Sequence, residues 1–156
     1  MKTPSSTRLT FSPFLCGLVA LLWAACGGSK SSPEQTGQSC TPTQDDATGG
    51  CFKDLQESIK GTAMCLTRVP EGYCTHTCQT DSDCCAVKGE CKSGLVQVCA
   101  PFESTGAKYC FLSCEAKDIP KDADDSTFCQ ENANAAFICR STGGGNENRK
   151  VCVPNG

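Results

Sequence analysis

Apolar side chains are concentrated at one end of this chain and come in small clusters elsewhere. Leu9 to Ala25 runs largely apolar, behind a start that carries Lys2 and Arg8 and no acid. Gly27 to Ser39 then has no large apolar side chain at all. Further on, Phe52, Leu55 and Ile59 fall at i, i+3 and i+7, one face of a short helix that Gly61 stops. Gly94 to Cys99 sets Leu95, Gln97 and Cys99 against Val96 and Val98, the alternation of a strand. Thr127 followed by Gln130 has capping-box spacing and predicts a turn or two of helix through Phe137. Gly143-Gly144-Gly145-Asn146 reads as a turn between two short strands.

A positive start, an apolar run and small residues at its end describe a secretory signal over residues 1–25. A membrane-spanning helix needs about 20 apolar residues. This run has about 17, broken by Thr10, Ser12 and Pro13. Its end, Trp23-Ala24-Ala25-Cys26, resembles the lipobox of bacterial lipoproteins: Ala24, Ala25 and Cys26 match its last three positions, and Trp23 stands where that pattern has Leu. The resemblance implies that Cys26 becomes the acylated first residue and tethers the chain to a membrane. Gly27 after it implies the outer membrane, with a secreted soluble form as the alternative. Residues 26–39 are then a lipidated Cys and a flexible tether, with a reach of roughly 20 Å by random-coil scaling.

Sixteen residues are cysteine, about a tenth of the chain, which marks a disulfide scaffold once the chain is exported. Cys16 leaves with the signal and Cys26 is the lipid site. The rest are Cys40, Cys51, Cys65, Cys74, Cys78, Cys84, Cys85, Cys91, Cys99, Cys110, Cys114, Cys129, Cys139 and Cys152, enough for seven disulfides with none left over. That even number agrees with a modified Cys26, which would otherwise be an odd thiol in an oxidising compartment. The larger apolar residues after the signal number only 21 of 131. Cross-links that each contribute about 2–4 kcal/mol can stand in for the missing core. The expected fold is therefore a set of small, disulfide-rich, loop-rich modules with short β-hairpins, one or two short helices and little hydrophobic core.

The order Tyr-Cys-x3-Cys, Cys-basic-Ser, Val-Cys-apolar-Pro occurs twice. Tyr73-Cys74 leads to Cys78 and Tyr109-Cys110 to Cys114; Cys91-Lys92-Ser93 leads to Val98-Cys99-Ala100-Pro101 and Cys139-Arg140-Ser141 to Val151-Cys152-Val153-Pro154. This gives a partial module at 40–65, a Cys-rich module at 66–99 and a second at 100–156. Cys74, Cys78, Cys84-Cys85, Cys91 and Cys99 resemble the inhibitor cystine knot in their order. That resemblance implies the pairs Cys74–Cys85, Cys78–Cys91 and Cys84–Cys99, although spacing alone leaves connectivity open. Gly72-Tyr73-Cys74-Thr75 with Asp81-Ser82-Asp83-Cys84, behind a lipobox-like start, is similar to the cysteine-rich surface lipoproteins of myxobacteria. The likeness implies an address and an architecture, not an activity.

The chain carries 14 basic and 17 acidic residues, and loses Lys2 and Arg8 with the signal, so its mature charge is about −5. That disfavours nucleic acid and anionic headgroups as partners. His76 is the only histidine. It lies between Cys74 and Cys78, which predicts a solvent-facing loop residue rather than a catalytic base. The recurring three-residue gap between cysteines does not suit zinc, which favours Cys-x2-Cys or added His. A calcium loop counted from Asp122 would need Gly at its sixth position and Glu at its twelfth, where Thr127 and Ala133 stand. No metal, cofactor or catalytic group is expected. Thr67-Arg68-Val69-Pro70 could present Arg68 to a trypsin-like protease. The reading is a non-enzymatic, lipid-anchored envelope protein serving structure, adhesion or ligand binding, its partners being the membrane through Cys26 and an envelope or extracellular protein or glycan. A protease inhibitor or toxin-like knottin is the alternative.

Overall fold

The computed structural model describes residues 35–102, 106–142 and 148–155. The signal, Cys26 and residues 27–34 lie outside them, as does the turn read at 143–146. Three antiparallel hairpins succeed one another. They pair β1 (Ala63–Leu66) with β2 (Tyr73–His76), β3 (Gln97–Pro101) with β4 (Lys108–Leu112), and β5 (Phe137–Ser141) with β6 (Lys150–Pro154). One α-helix, α1 (Phe128–Asn132), and a 3-10 turn at Asp81–Asp83 complete the regular structure among the described residues. This is a small, disulfide-rich, loop-rich fold.

The hairpins share one covalent plan. Cys65 lies directly opposite Cys74, Cys99 opposite Cys110, and Cys139 opposite Cys152. Opposed residues of an antiparallel pair point to the same face. Neither partner bonds the other; each bonds a cysteine upstream. The bridges are Cys40–Cys65 with Cys51–Cys74, Cys78–Cys99 with Cys84–Cys110, and Cys114–Cys139 with Cys129–Cys152. Each hairpin thus clamps the segment before it with two interleaved staples.

Backbone hydrogen bonds repeat the plan. Three residues past the second cysteine of each hairpin, Thr77, Ser113 and Asn155 donate to the carbonyls of Thr62, Val96 and Ala136, at 3.0, 2.8 and 3.1 Å. The next unit is sewn on at the same place, since Cys78 N–H donates to Lys108 O and Cys114 N–H to Lys150 O. Two bridges cross the boundaries read from sequence: Cys51–Cys74 spans the first at 65/66 and Cys84–Cys110 the second at 99/100. Cys139 sits on β5 and corresponds in place to Cys99, whereas Cys91 closes a short loop with Cys85.

The cystine-knot pairing is overturned. Cys74 bonds Cys51, Cys78 bonds Cys99, Cys84 bonds Cys110 and Cys85 bonds Cys91. The strand register explains this, because Cys99 and Cys110 face the segment that carries Cys78 and Cys84.

Each hairpin contributes an aromatic ring to one shared core. Tyr73 of β2 is fully buried, stacked 6.2 Å from Phe111 of β4 and tilted against Phe137 of β5 at 4.8 Å. Val98, Leu112, Phe128 and Val151 fill in around them. Burial holds the Tyr73 hydroxyl well above its ordinary pKa, against a smaller opposing pull from the Leu112 backbone. A second cluster gathers Phe52 and Ile59, with Leu55 against it, around the bridges of the first hairpin.

Three local expectations change. The segment from Phe52 to Ile59 is a run of turns, not a helix: Leu55 and Ser58 donate to residues three back, and Phe52 has φ +55°. The bridge from Cys51 to Cys74 and the preceding Gly49-Gly50 fix a tight entry that a helix cannot share. The helix expected from Thr127 through Phe137 ends at Asn132, and the Thr127 hydroxyl donates to Glu131 instead of capping. Asn134 turns the chain out by accepting the Ala136 N–H at 2.8 Å. Finally, the alternation from Gly94 becomes a strand only at Gln97.

Candidate functional site

The one histidine is not at the surface. His76 ends β2, is wholly buried, and sits edge-on to Phe52 at 5.5 Å. Its Nε2 lies 2.9 Å from Glu90 Oε1, and Nδ1 lies 2.9 Å from the Thr77 carbonyl. Strand alternation gives the reason for burial: His76 shares a face with Cys74, and the segments stapled there cover it.

Glu90 is equally buried and comes from the next unit. Its carboxylate also accepts the backbone N–H groups of Cys85 and Val87, so it organises the loop that Cys85–Cys91 closes. Burial pulls the His76 pKa down, but the Glu90 hydrogen bond, the Thr77 carbonyl and the charges of Glu90 and Asp83 outweigh it and raise the value. Burial pushes Glu90 up, and the donors His76, Cys85 and Val87 with the imidazolium charge outweigh that and lower it. The result is a buried ion pair between two units. No sequence spacing marks it, since Glu90 lies 14 residues from His76.

The same loop holds the end of the stretch read as a flexible tether. Thr36 N–H donates to Glu90 O at 2.7 Å and Gln35 N–H to Gly89 O at 3.3 Å. The Gln35 side chain accepts the Phe52 N–H, and Gly37 and Gln38 pair with Cys74 along β2. Residues 35–38 are therefore part of the folded body. Polar side chains suffice there because most of these contacts are made by backbone groups.

Among the described residues, four groups of three cysteine or carboxylate side chains converge: Cys40/Cys51/Cys65, Cys78/Cys84/Cys110, Cys114/Cys129/Cys139 and Cys85/Glu90/Cys91. Every cysteine in them is already bridged, and a metal requires the thiolate. The first three groups are the paired staples of each unit lying against one another. The acidic runs make turns. Asp83 accepts the N–H groups of Gln79 and Thr80, and Asp124 accepts the N–H and the hydroxyl of Ser126.

Arg68 is exposed in the turn joining β1 to β2. The residue after it, Val69, is packed in the core, and Gly72 N–H closes the turn on the Val69 carbonyl at 3.1 Å. A protease cleft that takes its ligand as an added strand needs extended backbone on both sides of the contact residue. This loop is curled instead.

Arg68 does line a groove. With Arg140, Ser141 and Thr142 from the end of β5 and Asn155, it forms the polar side of a hollow of about 340 Å³. Pro101, Phe102, Val153 and Pro154 make the apolar side. The three hairpins all supply residues, and no carboxylate is among the described residues lining it. Among the described residues lining it, the charged groups are Arg68 and Arg140. A second hollow near Lys60 and Asp83 carries both signs. No protein-family model, curated protein or solved structure matches the chain.

Proposed function

We propose that the chain is an exported, non-enzymatic binding protein of the cell envelope, held to a membrane by acyl chains on Cys26. One observation carries this reading: the fourteen cysteines from Cys40 to Cys152 pair entirely among themselves. A closed set of bridges needs an oxidising compartment and leaves Cys26 without a thiol partner in the body. The groove that Arg140 lines supplies the binding function. Guanidinium groups grip carboxylates through paired donors. Phe102 and the two prolines offer flat apolar faces beside them. An acidic saccharide, with a carboxylate on one side of a ring and C–H groups on the other, fits that division.

Intact mass of the membrane-extracted protein tests the anchor, with alkylation before and after reduction. The expected species starts at Cys26, carries acyl mass, exposes no thiol before reduction and fourteen after it. An unlipidated chain, or one with many thiols open before reduction, would overturn the reading.

A further inference from the structure

The seventh disulfide stands apart from the other six. Cys85–Cys91 closes a loop with a sequence separation of 6, against 21 to 26 for the rest, and neither the first nor the third hairpin has a counterpart. Every other bridge has at least one buried cysteine; here Cys85 is exposed and Cys91 is partly so. Cys85 also holds φ +62°, the left-handed region that costs a residue with a Cβ. Lys88 inside the loop and Lys92 just beyond it are both exposed and place positive charge near an incoming thiolate.

What the loop holds is unusual for a peripheral staple. Glu90 within it anchors His76 of the preceding unit, and the carbonyls of Gly89 and Glu90 hold the backbone of residues 35 and 36. We propose that Cys85–Cys91 is a thiol–disulfide exchange site, opened by an external dithiol while the six interleaved bridges stay closed, and that its opening unclips residues 35 and 36 from the body. The first thiolate of the dithiol attacks Cys85 Sγ. The Cys85–Cys91 bond breaks, and Cys91 leaves as a thiolate that takes a proton from water. The second thiolate of the dithiol then attacks the mixed disulfide, becomes part of the dithiol's own disulfide and releases Cys85. Two electrons pass to the protein and the dithiol is oxidised.

Stepwise reduction of the full, oxidised chain with dithiothreitol tests this, with rapid alkylation, peptide mass mapping and amide hydrogen exchange. The first two alkylated positions should be Cys85 and Cys91, opened at least ~10-fold faster than the next bridge because attack follows access. The six-bridge species should exchange faster at Thr36 and still protect β4 and β6. A Cys85→Ser, Cys91→Ser double variant should keep six bridges and give that same exchange pattern. First labels on Cys114 and Cys139, simultaneous opening of several bridges, or unchanged exchange at Thr36 in the six-bridge species would each overturn the proposal.

Discussion

His76 Nε2 lies 2.9 Å from Glu90 Oε1, with both side chains fully shielded from water, and the pair links two units that share no disulfide. A buried ion pair is worth having only when its remaining donors and acceptors are also satisfied. Here they are, through the Thr77 carbonyl on one side and the Cys85 and Val87 amides on the other.

The pair makes stability depend on pH in a definite window. The His76 pKa is raised in the fold, so its contribution is complete below the ordinary value of 6.5 and is lost as pH climbs through the folded value. Glu90 is lowered, so its contribution is present above 4.5 and is lost as pH falls through the folded value. Resistance to urea, disulfides intact, should therefore be greatest between those two ordinary values. Glu90→Ala should cost about 3–5 kcal/mol, the usual result of stranding one partner of a buried pair. Glu90→Gln should cost less and flatten the alkaline limb of the profile. A Glu90→Gln profile parallel to the parent's would show that His76 titrates elsewhere than against Glu90.

Glycine positions separate the sewn junctions from the open loops. Gly61 has φ +144°, and a Cβ there would stand 1.9 Å from the Thr77 carbonyl oxygen, beside the hydrogen bond from Thr77 to Thr62. Backbone cannot yield as a flexible side-chain tip can. Gly94 has φ +83° but faces open space. Gly61→Ala should fail to reach the seven-bridge state in oxidative refolding, scored by residual thiols. Gly94→Ala should reach it and lose only about 1–2 kcal/mol, the cost of the left-handed backbone alone. Equal yields from the two would remove the close approach as an explanation.

How much of this was legible in the sequence depends on the range of the interaction. Cysteine content and parity gave the seven-bridge, loop-rich fold, because composition needs no contact map. Burial of Phe52 and Ile59 followed from their spacing, yet the helix did not, since Cys51 and a positive φ at Phe52 override the local period. The pairing of Cys84 with Cys110 depends on the register of β3 against β4, which adjacency in sequence cannot reveal. Short loops between cysteines usually face water, which predicts an exposed His76; it lies instead on a strand whose inner face is covered by the stapled segment. The groove is not legible in the sequence because its walls come from three hairpins, and no spacing sets Arg140 beside Arg68.

Arg149 spans the second and third units at the surface, its Nη1 on both Asp81 carboxylate oxygens at 3.0 and 2.8 Å and its Nε on Glu115 at 2.9 Å. Exposed pairs of this kind contribute about 0–1 kcal/mol and fade with salt. Asp81 has a second task, since its Oδ1 accepts the Cys99 N–H at 2.9 Å at the edge of β3. Asp81→Ala should therefore destabilise by roughly 1 kcal/mol more than Arg149→Ala, the worth of a charge-assisted bond to backbone. Denaturation at low and at molar salt separates the two: the difference between the parent and Arg149→Ala should shrink with salt, and the extra loss in Asp81→Ala should persist. An extra loss that also vanished would assign all of Asp81's effect to the ion pair.

The groove makes the functional reading testable without knowing the natural ligand. Arg140 lies at the open end of β5, and among the described residues no ion pair engages it, so its removal leaves no buried charge behind. Calorimetric titration with an oligogalacturonate should show binding that weakens with salt, and a neutral malto-oligosaccharide of equal length should show none. Arg140→Gln should weaken the uronate by roughly 10-fold, the loss of one charge-assisted contact of about 1.5 kcal/mol. Phe102→Ala should weaken it at every salt concentration, because an apolar contact is not screened. If Arg140→Gln and the parent bind alike, the carboxylate is not read in this groove. If the neutral sugar binds as well as the acidic one, the arginines there serve the fold and the ligand class is wrong.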